Sequence, residues 1–151
     1  MSEIAFYRLI RGTLEQVLPR LLEKVLESGR RAVVRCPTAE RVEALDRVLW
    51  TYAPDSFLPH GTAADGFPDR QPIFLTRGTE RPNGAEVLVL VEDAPDADLE
   101  SYERVLVPFD GGDPAAVERA RERWRVWRAA GHRLVHWQQE ADGRWVKVRG
   151  G

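Results

Sequence analysis

Apolar positions along the chain fall either into short continuous runs or at helical spacing, and their succession predicts the elements. Residues 4–10 are apolar and β-rich and predict a first strand. Leu14, Val17, Leu18, Leu21, Leu22, Val25 and Leu26 then recur at helical spacing as far as Gly29. Thr13 with Gln16 three residues later is a capping-box signature for that helix, and Pro19 falls within its first two turns, where its cost is smaller. Residues 32–34 predict a short buried strand that ends at Cys36-Pro37. Thr38 caps a second helix, with Val42, Leu45, Val48, Leu49 and Trp50 facing inward. Residues 51–71 are rich in Pro, Gly, Asp and Ser and predict a long loop, a kind that in compact domains usually carries function.

Beyond the loop, residues 72–76 predict a strand, and the unbroken apolar run VLVLV at 87–91 fits a strand covered on both faces of a parallel sheet. Residues 102–108 supply another strand. Asp113-Pro114 opens a third helix that Gly131 ends. Residues 132–138 and 144–148 flank Ala141-Asp142-Gly143, whose Asp-Gly pair signals a hairpin. The order is β-α-β-α-loop-β-β-β-α-β-β. It predicts a Rossmann-like three-layer α/β/α domain over residues 1–151, with a mostly parallel sheet and an antiparallel C-terminal hairpin.

Composition agrees with that picture and narrows the surroundings. With 43% hydrophobic and 30% charged residues, a chain of 151 has the makeup of one globular domain with its own core. Its single cysteine, Cys36, cannot pair within the chain, and no Cys/His cluster has zinc-like spacing. No apolar run approaches the roughly 18 residues of a membrane helix, and the start lacks the form of a signal peptide. A cytoplasmic protein without membrane association or bound metal is the expectation.

Charge sharpens it further. The net charge of −2 hides a division: residues 119–151 carry nine basic and three acidic groups, and residues 1–118 carry thirteen basic and twenty-one acidic. Such polarity favours one local site for something anionic over a surface wrapped in nucleic acid.

Enzymatic chemistry finds little support. The turn after the first strand, Arg11-Gly12-Thr13, matches neither G-x-G-x-x-G nor a Walker A pattern, so no phosphate cradle follows it. VLVLVEDAPD at 87–96 resembles the apolar strand and acidic pair that hold magnesium in helicase-type ATPases. The plainer reading, a solvated acidic loop after a core strand, fits better, because magnesium sites lean on substrate phosphates. His60, His132 and His136 have no nucleophile pattern around them, and Cys36 reads as an inert core thiol. No catalytic residue and no cofactor is expected.

Two constellations remain. On the third helix Val117, Arg121, Trp124, Arg125 and Arg128 fall at i, i+4, i+7, i+8 and i+11 and share one face, three guanidiniums around an indole. Glu118 and Glu122 could pair with those arginines as an ordinary solvated surface. Against that, Trp with Arg is the composition of binding hot spots, and Arg forks suit carboxylates. Ala116, Ala120 and Trp127 form the opposite face, the one suited to packing on the sheet. The second constellation is Trp50, Tyr52, Phe57 and Leu58 near the Pro-rich loop, either a plug at the sheet edge or a docking patch.

At FYRL, LDRVLW, DSFLPHG, QPIFL, Phe109-Asp110 and RARERWRVWRAAGHRLVHWQQ the sequence resembles the chi subunit family of DNA polymerase III, in forms similar to those of alphaproteobacteria. The resemblance runs in order along essentially the whole chain. It implies a Rossmann-like fold without nucleotide hydrolysis, joining the clamp loader to single-stranded DNA-binding protein, whose acidic tail ends in a Pro-Phe carboxylate. Contact with nucleic acid would then be mainly indirect. Arg121, Arg125 and Arg128 would receive the tail's carboxylates, with Trp124 and Val117 seating its Phe and Pro. The same resemblance implies that Trp50, Phe57, Leu58, Pro59 and His60 dock the psi subunit, another clamp-loader component or a competing helicase-like partner. Rival readings are a nucleotide-dependent enzyme built on the VLVLVED strand and a direct single-stranded DNA binder that uses the basic C-terminal part.

Overall fold

The computed structural model describes residues 2–10, 12–53, 58–142 and 144–150. Its elements are β1 (Glu3–Leu9), α1 (Leu14–Glu27), β2 (Ala32–Arg35), α2 (Ala39–Thr51), β3 (Gly61–Thr62), β4 (Ile73–Thr76), β5 (Val87–Leu90), β6 (Arg104–Asp110), α3 (Pro114–Ala129), β7 (Arg133–Gln139) and β8 (Trp145–Gly150). Eight strands form one sheet in the order β3-β4-β2-β5-β6-β1-β7-β8. Every neighbouring pair is parallel except β7 and β8, which close the sheet as an antiparallel hairpin pair.

Strand alternation builds two cores from the apolar runs. Val87 and Val89 point to the face where Leu18, Leu22 and Val25 of α1 and Leu45 and Leu49 of α2 pack. Leu88 and Leu90 point to the other face, with Ile4, Phe6, Val105, Val107 and Leu134 beneath Ala120 and Trp127 of α3. The result is the anticipated three-layer α/β/α arrangement. Helix starts follow the capping chemistry: Gln16 Oε1 accepts from the Thr13 backbone N–H at 3.0 Å, Thr38 Oγ1 from Arg41 N–H at 3.1 Å, and Asp113 Oδ1 from Ala115 N–H at 3.0 Å. Gly131, at φ 93, supplies the left-handed residue that stops α3.

Three features differ from the pattern-based expectation. Trp50, expected inward, is 53% exposed, because the buried stripe of α2 runs through Leu45 and Leu49 and the next residue is rotated away from it. Within residues 51–71 lies an edge strand, β3, whose two residues pair with Phe74 and Leu75 and are too few to show a period. The strand expected at 102–108 begins at Arg104 and runs on to Asp110.

One buried charge ties β2 to the segment that follows β5. Arg35 on β2 is fully enclosed, and its Nη1 donates to the carbonyls of Pro95 at 2.8 Å and Ala97 at 2.9 Å, tying down the acidic segment that follows β5.

Candidate partner-binding groove

The chain reaches α1 from β1 over one face of the sheet and α3 from β6 over the other, while β1 and β6 lie side by side. Two concavities result. The first lies at the carboxyl ends of these strands, the place where open α/β sheets usually bind ligands. It has a volume of about 470 Å³, with Thr13, Glu15, Arg41, Glu92, Asp93 and Asp110 among its walls. Three of its charges engage one another: Arg41 contacts Glu15 at 2.6 Å and Glu92 at 3.0 Å. Arg123 donates to the carbonyls of Glu92 and Ala94, both at 2.9 Å. Among the described residues no group of three or more His, Cys, Asp or Glu side chains is gathered to hold a metal ion.

The second concavity, of about 550 Å³, runs between α3 and the sheet. Ala116, Ala120 and Trp127 of α3 are buried against the strands, as the sequence pattern anticipated. Val117 and Trp124, at the edge of that contact, are half-buried, and Arg121, Arg125 and Arg128 are exposed. Strand register lays the floor. Phe6 and Arg8, two apart on β1, share a face, and their partners across the ladder are His136 and Gln138 of β7. Phe109 of β6 and Val148 of β8 extend the floor to either side.

Rings line its centre. Trp124 lies 5.4 Å from Phe6 and 6.3 Å from His136 between centroids, Phe109 meets Phe6 edge-on at 6.5 Å, and Phe109 and His136 stand 6.3 Å apart. Such mutual contact holds the rings rigid, so a guest would lose little by ordering them. Among the described residues lining this groove there is no carboxylate, while Arg8 and Arg121 bring two guanidiniums. That one-sided charge in a half-apolar cleft suits an anionic guest with an apolar part.

Of the five residues anticipated on the helix, Val117, Arg121 and Trp124 line the groove. Arg125 and Arg128 project from the same helix outside its lining. Arg125 is already engaged by Glu122, with Nη2 and Nε 2.6 and 3.3 Å from the two carboxylate oxygens. Arg121 is only loosely associated with Glu118, at 3.9 Å, and its side chain is 72% exposed. Reading the helix alone missed Phe6, Arg8, Phe109, His136, Gln138 and Val148. Only the pairing of β6, β1, β7 and β8 together with strand phase reveals that they face α3.

The other anticipated patch divides. Trp50 is exposed and rests on His60 with centroids 4.7 Å apart. His60 and Leu58 are buried, Pro59 is half-buried, and Phe57 lies outside the described residues. The His60 Nδ1 lies 2.6 Å from the Leu58 carbonyl, which can only accept, so that nitrogen carries the proton. Nε2 faces Asp46 Oδ1 at 3.1 Å. His60 therefore acts as a platform under Trp50, the only described member of the five that is substantially exposed.

A family model described as DNA polymerase III chi subunit, HolC, matches residues 1–135. The chain belongs to the DNA polymerase III chi subunit family. The "Probable DNA polymerase III subunit chi" of Rickettsia prowazekii, an alphaproteobacterium, is 33% identical over 91 residues, covering 60% of this chain and 55% of that protein. The chain thus matches little more than half the length of that relative. The DNA polymerase III subunit chi of Escherichia coli is 25% identical over 141 residues, 89% of this chain and 96% of that protein. The subunit chi of Pseudomonas aeruginosa is 28% identical over 120 residues, 79% and 82% of the two chains. In this chi-family chain the model match takes in β1, β6 and α3 of the groove, while His136, Gln138 and Val148 lie beyond residue 135.

Proposed function

We propose that the chain is a non-catalytic adaptor of the DNA polymerase III clamp-loader assembly, acting as one domain in the cytoplasm, whose α3 groove captures the acidic C-terminal tail of single-stranded DNA-binding protein. The observation that carries this reading is the pairing of two guanidiniums with a ring-lined, carboxylate-free floor in one concavity. Chi-family membership supports the assembly. A tail of acidic residues ending in Pro-Phe matches both halves of the groove: its apolar end sits against Phe6, Trp124, Val117 and Phe109, and its carboxylates meet the arginines. Capture of a chain terminus in this way is a recurrent mode of peptide recognition.

The role follows from binding alone. Tethering the loader to protein-coated single-stranded DNA raises its local concentration there, and contact with nucleic acid is mainly indirect. Trp50, on its His60 platform, offers a separate anchor for a psi subunit or another clamp-loader partner, and because α2 packs on the opposite face of the sheet from α3, both sites are free to act together.

Calorimetric titration with a synthetic tail peptide tests this reading. Binding by the unmodified chain, clearly weakened in Arg121→Ala, supports it. Equal affinity in the two proteins removes the groove from the account, and saturable binding of a bare oligonucleotide at physiological salt would favour a direct DNA-binding module instead.

A further inference from the structure

Arg8 differs from every other arginine near the groove. It is half-buried in the floor, and its Nη2 reaches only the Gly111 carbonyl, at a long 3.4 Å. Its Nε is enclosed and meets no hydrogen-bond acceptor among the described residues. No carboxylate lies within ion-pairing distance of it among those residues, whereas Arg121 and Arg125 each have a glutamate one helical turn away. A partly buried guanidinium left short of acceptors gains most from an anion that enters the groove it lines.

Its seat is shaped to hold it there. A Cβ on Gly111 would stand 2.8 Å from both Cγ and Nε of Arg8 and 2.7 Å from the Leu9 carbonyl, so the bare glycine lets the arginine stem lie against the turn between β6 and α3. Phe6, two residues earlier on the same strand, begins the ring cluster, and Gln138 stands beside Arg8 across the β1–β7 ladder. A planar fork at the end of an aromatic-lined cleft is the arrangement that takes a carboxylate bidentately once an adjoining ring is seated.

We infer that Arg8 is the specificity-determining residue that binds the terminal α-carboxylate of the captured peptide, making the groove selective for a free chain end over the same acidic sequence inside a longer chain. The inference rests on the reading of the groove as a tail-binding site. It assigns a division of labour: Arg8 reads the chain end, and Arg121 on the exposed helix attracts the upstream acidic side chains. Charge on the helix rim acts at a distance and is sequence-tolerant, whereas the half-buried fork acts on a group that enters the floor.

The test is a calorimetric cycle with one acidic peptide ending in Pro-Phe, made with a free C-terminal carboxylate and as the C-terminal amide. The unmodified chain should prefer the free acid by about tenfold or more, the scale of a charge-assisted hydrogen-bonded pair. In Arg8→Met, which keeps the length of the stem, that preference should collapse to near unity, and Arg8→Lys should restore part of it. Arg121→Met should weaken both peptides by the same factor and leave the preference intact. If Arg8→Met retains the full preference, or if the unmodified chain never distinguishes acid from amide, Arg8 does not read the terminus although the groove still binds tails. If neither peptide binds the unmodified chain, the groove reading itself falls, and this inference with it. Amide-proton spectra of each variant establish that the fold is intact.

Discussion

Trp124 rests on Phe6 with ring centroids 5.4 Å apart and planes inclined at 59°, so the indole that closes the groove is braced by the strand at the centre of the binding floor. The same ring therefore serves packing and recognition. Trp124→Ala should lower stability by about 2–3 kcal/mol, less than the loss for a fully enclosed tryptophan, and should weaken tail binding at least tenfold. Trp124→Phe should keep most of both. Urea denaturation alongside peptide titration separates the two effects, and an unchanged denaturation midpoint in Trp124→Ala would mean that the indole is not part of the packed layer.

Position on α3 should grade the arginines. Arg121→Ala should cost more binding than Arg125→Ala, because Arg121 lines the groove while Arg125 lies outside its lining and is held by Glu122. Both changes should alter stability by no more than about 0.5 kcal/mol, as expected of exposed pairs. Raising the salt concentration should weaken the interaction of the unmodified chain more steeply than that of Arg121→Ala, since the rim charge is the most screened part of the site. Equal salt slopes would place the charge contribution elsewhere.

One buried group and one partly exposed group contribute to the pH dependence of stability. Burial pushes the Cys36 thiol up to about 12, with Arg41 lowering it and Glu92 raising it to a lesser degree, against an ordinary value of 9.0. The unfolded thiol ionises first, so the stability it contributes is present below pH 9.0 and is lost as pH rises toward 12. A disulfide-forming thiol reagent at about pH 8 should label Cys36 only in denaturant.

On the acid side, partial burial tends to raise the carboxyl of Glu15, but the hydrogen bond and charge of Arg41 prevail and hold it below its ordinary 4.5. Its contribution is present above that value and is lost as pH falls through the lower folded value. Glu15→Gln should accordingly flatten the acid limb of the profile measured by denaturation at successive pH values.

Trp50 should behave oppositely to its own support. Exposed at 53%, it can be changed to Ala with little effect on thermal stability while a partner held through this patch is lost. His60→Ala removes a buried ring that contacts Leu58, Asp46 and Trp50, and should lower the melting temperature as well as partner affinity. Pull-down from native lysate with both variants, read against their melting curves, checks the contrast.

Much of the fold was legible because each core element carries its own period. The unbroken burial of Val87, Leu88, Val89 and Leu90, which alternate between the two faces of the sheet, and the helical recurrence from Leu14 to Leu26 both arise from local geometry. The stripe of Val117, Arg121 and Trp124 was legible for the same reason, and so was the buried face of Ala116, Ala120 and Trp127. Arg8 was not. It lies in an apolar strand where nothing local reveals which face it takes or that β7, more than 120 residues later, lies beside it. Arg35 was hidden likewise, since its acceptors are carbonyls of a loop about 60 residues away. Trp50 was misread because one residue of helical phase separates the inward Leu49 from solvent.

The central claim is that the acidic tail enters the cleft between α3 and the β1–β7 floor, and an amide and indole NMR titration with the tail peptide tests it most directly. The account predicts saturating shifts at the Trp124 indole and at the backbone of Arg8, Phe109, Val117, Arg121 and Gln138, with the Trp50 indole unmoved. Shifts confined to Trp50 and its surroundings, with the Trp124 indole unmoved at saturation, would contradict it.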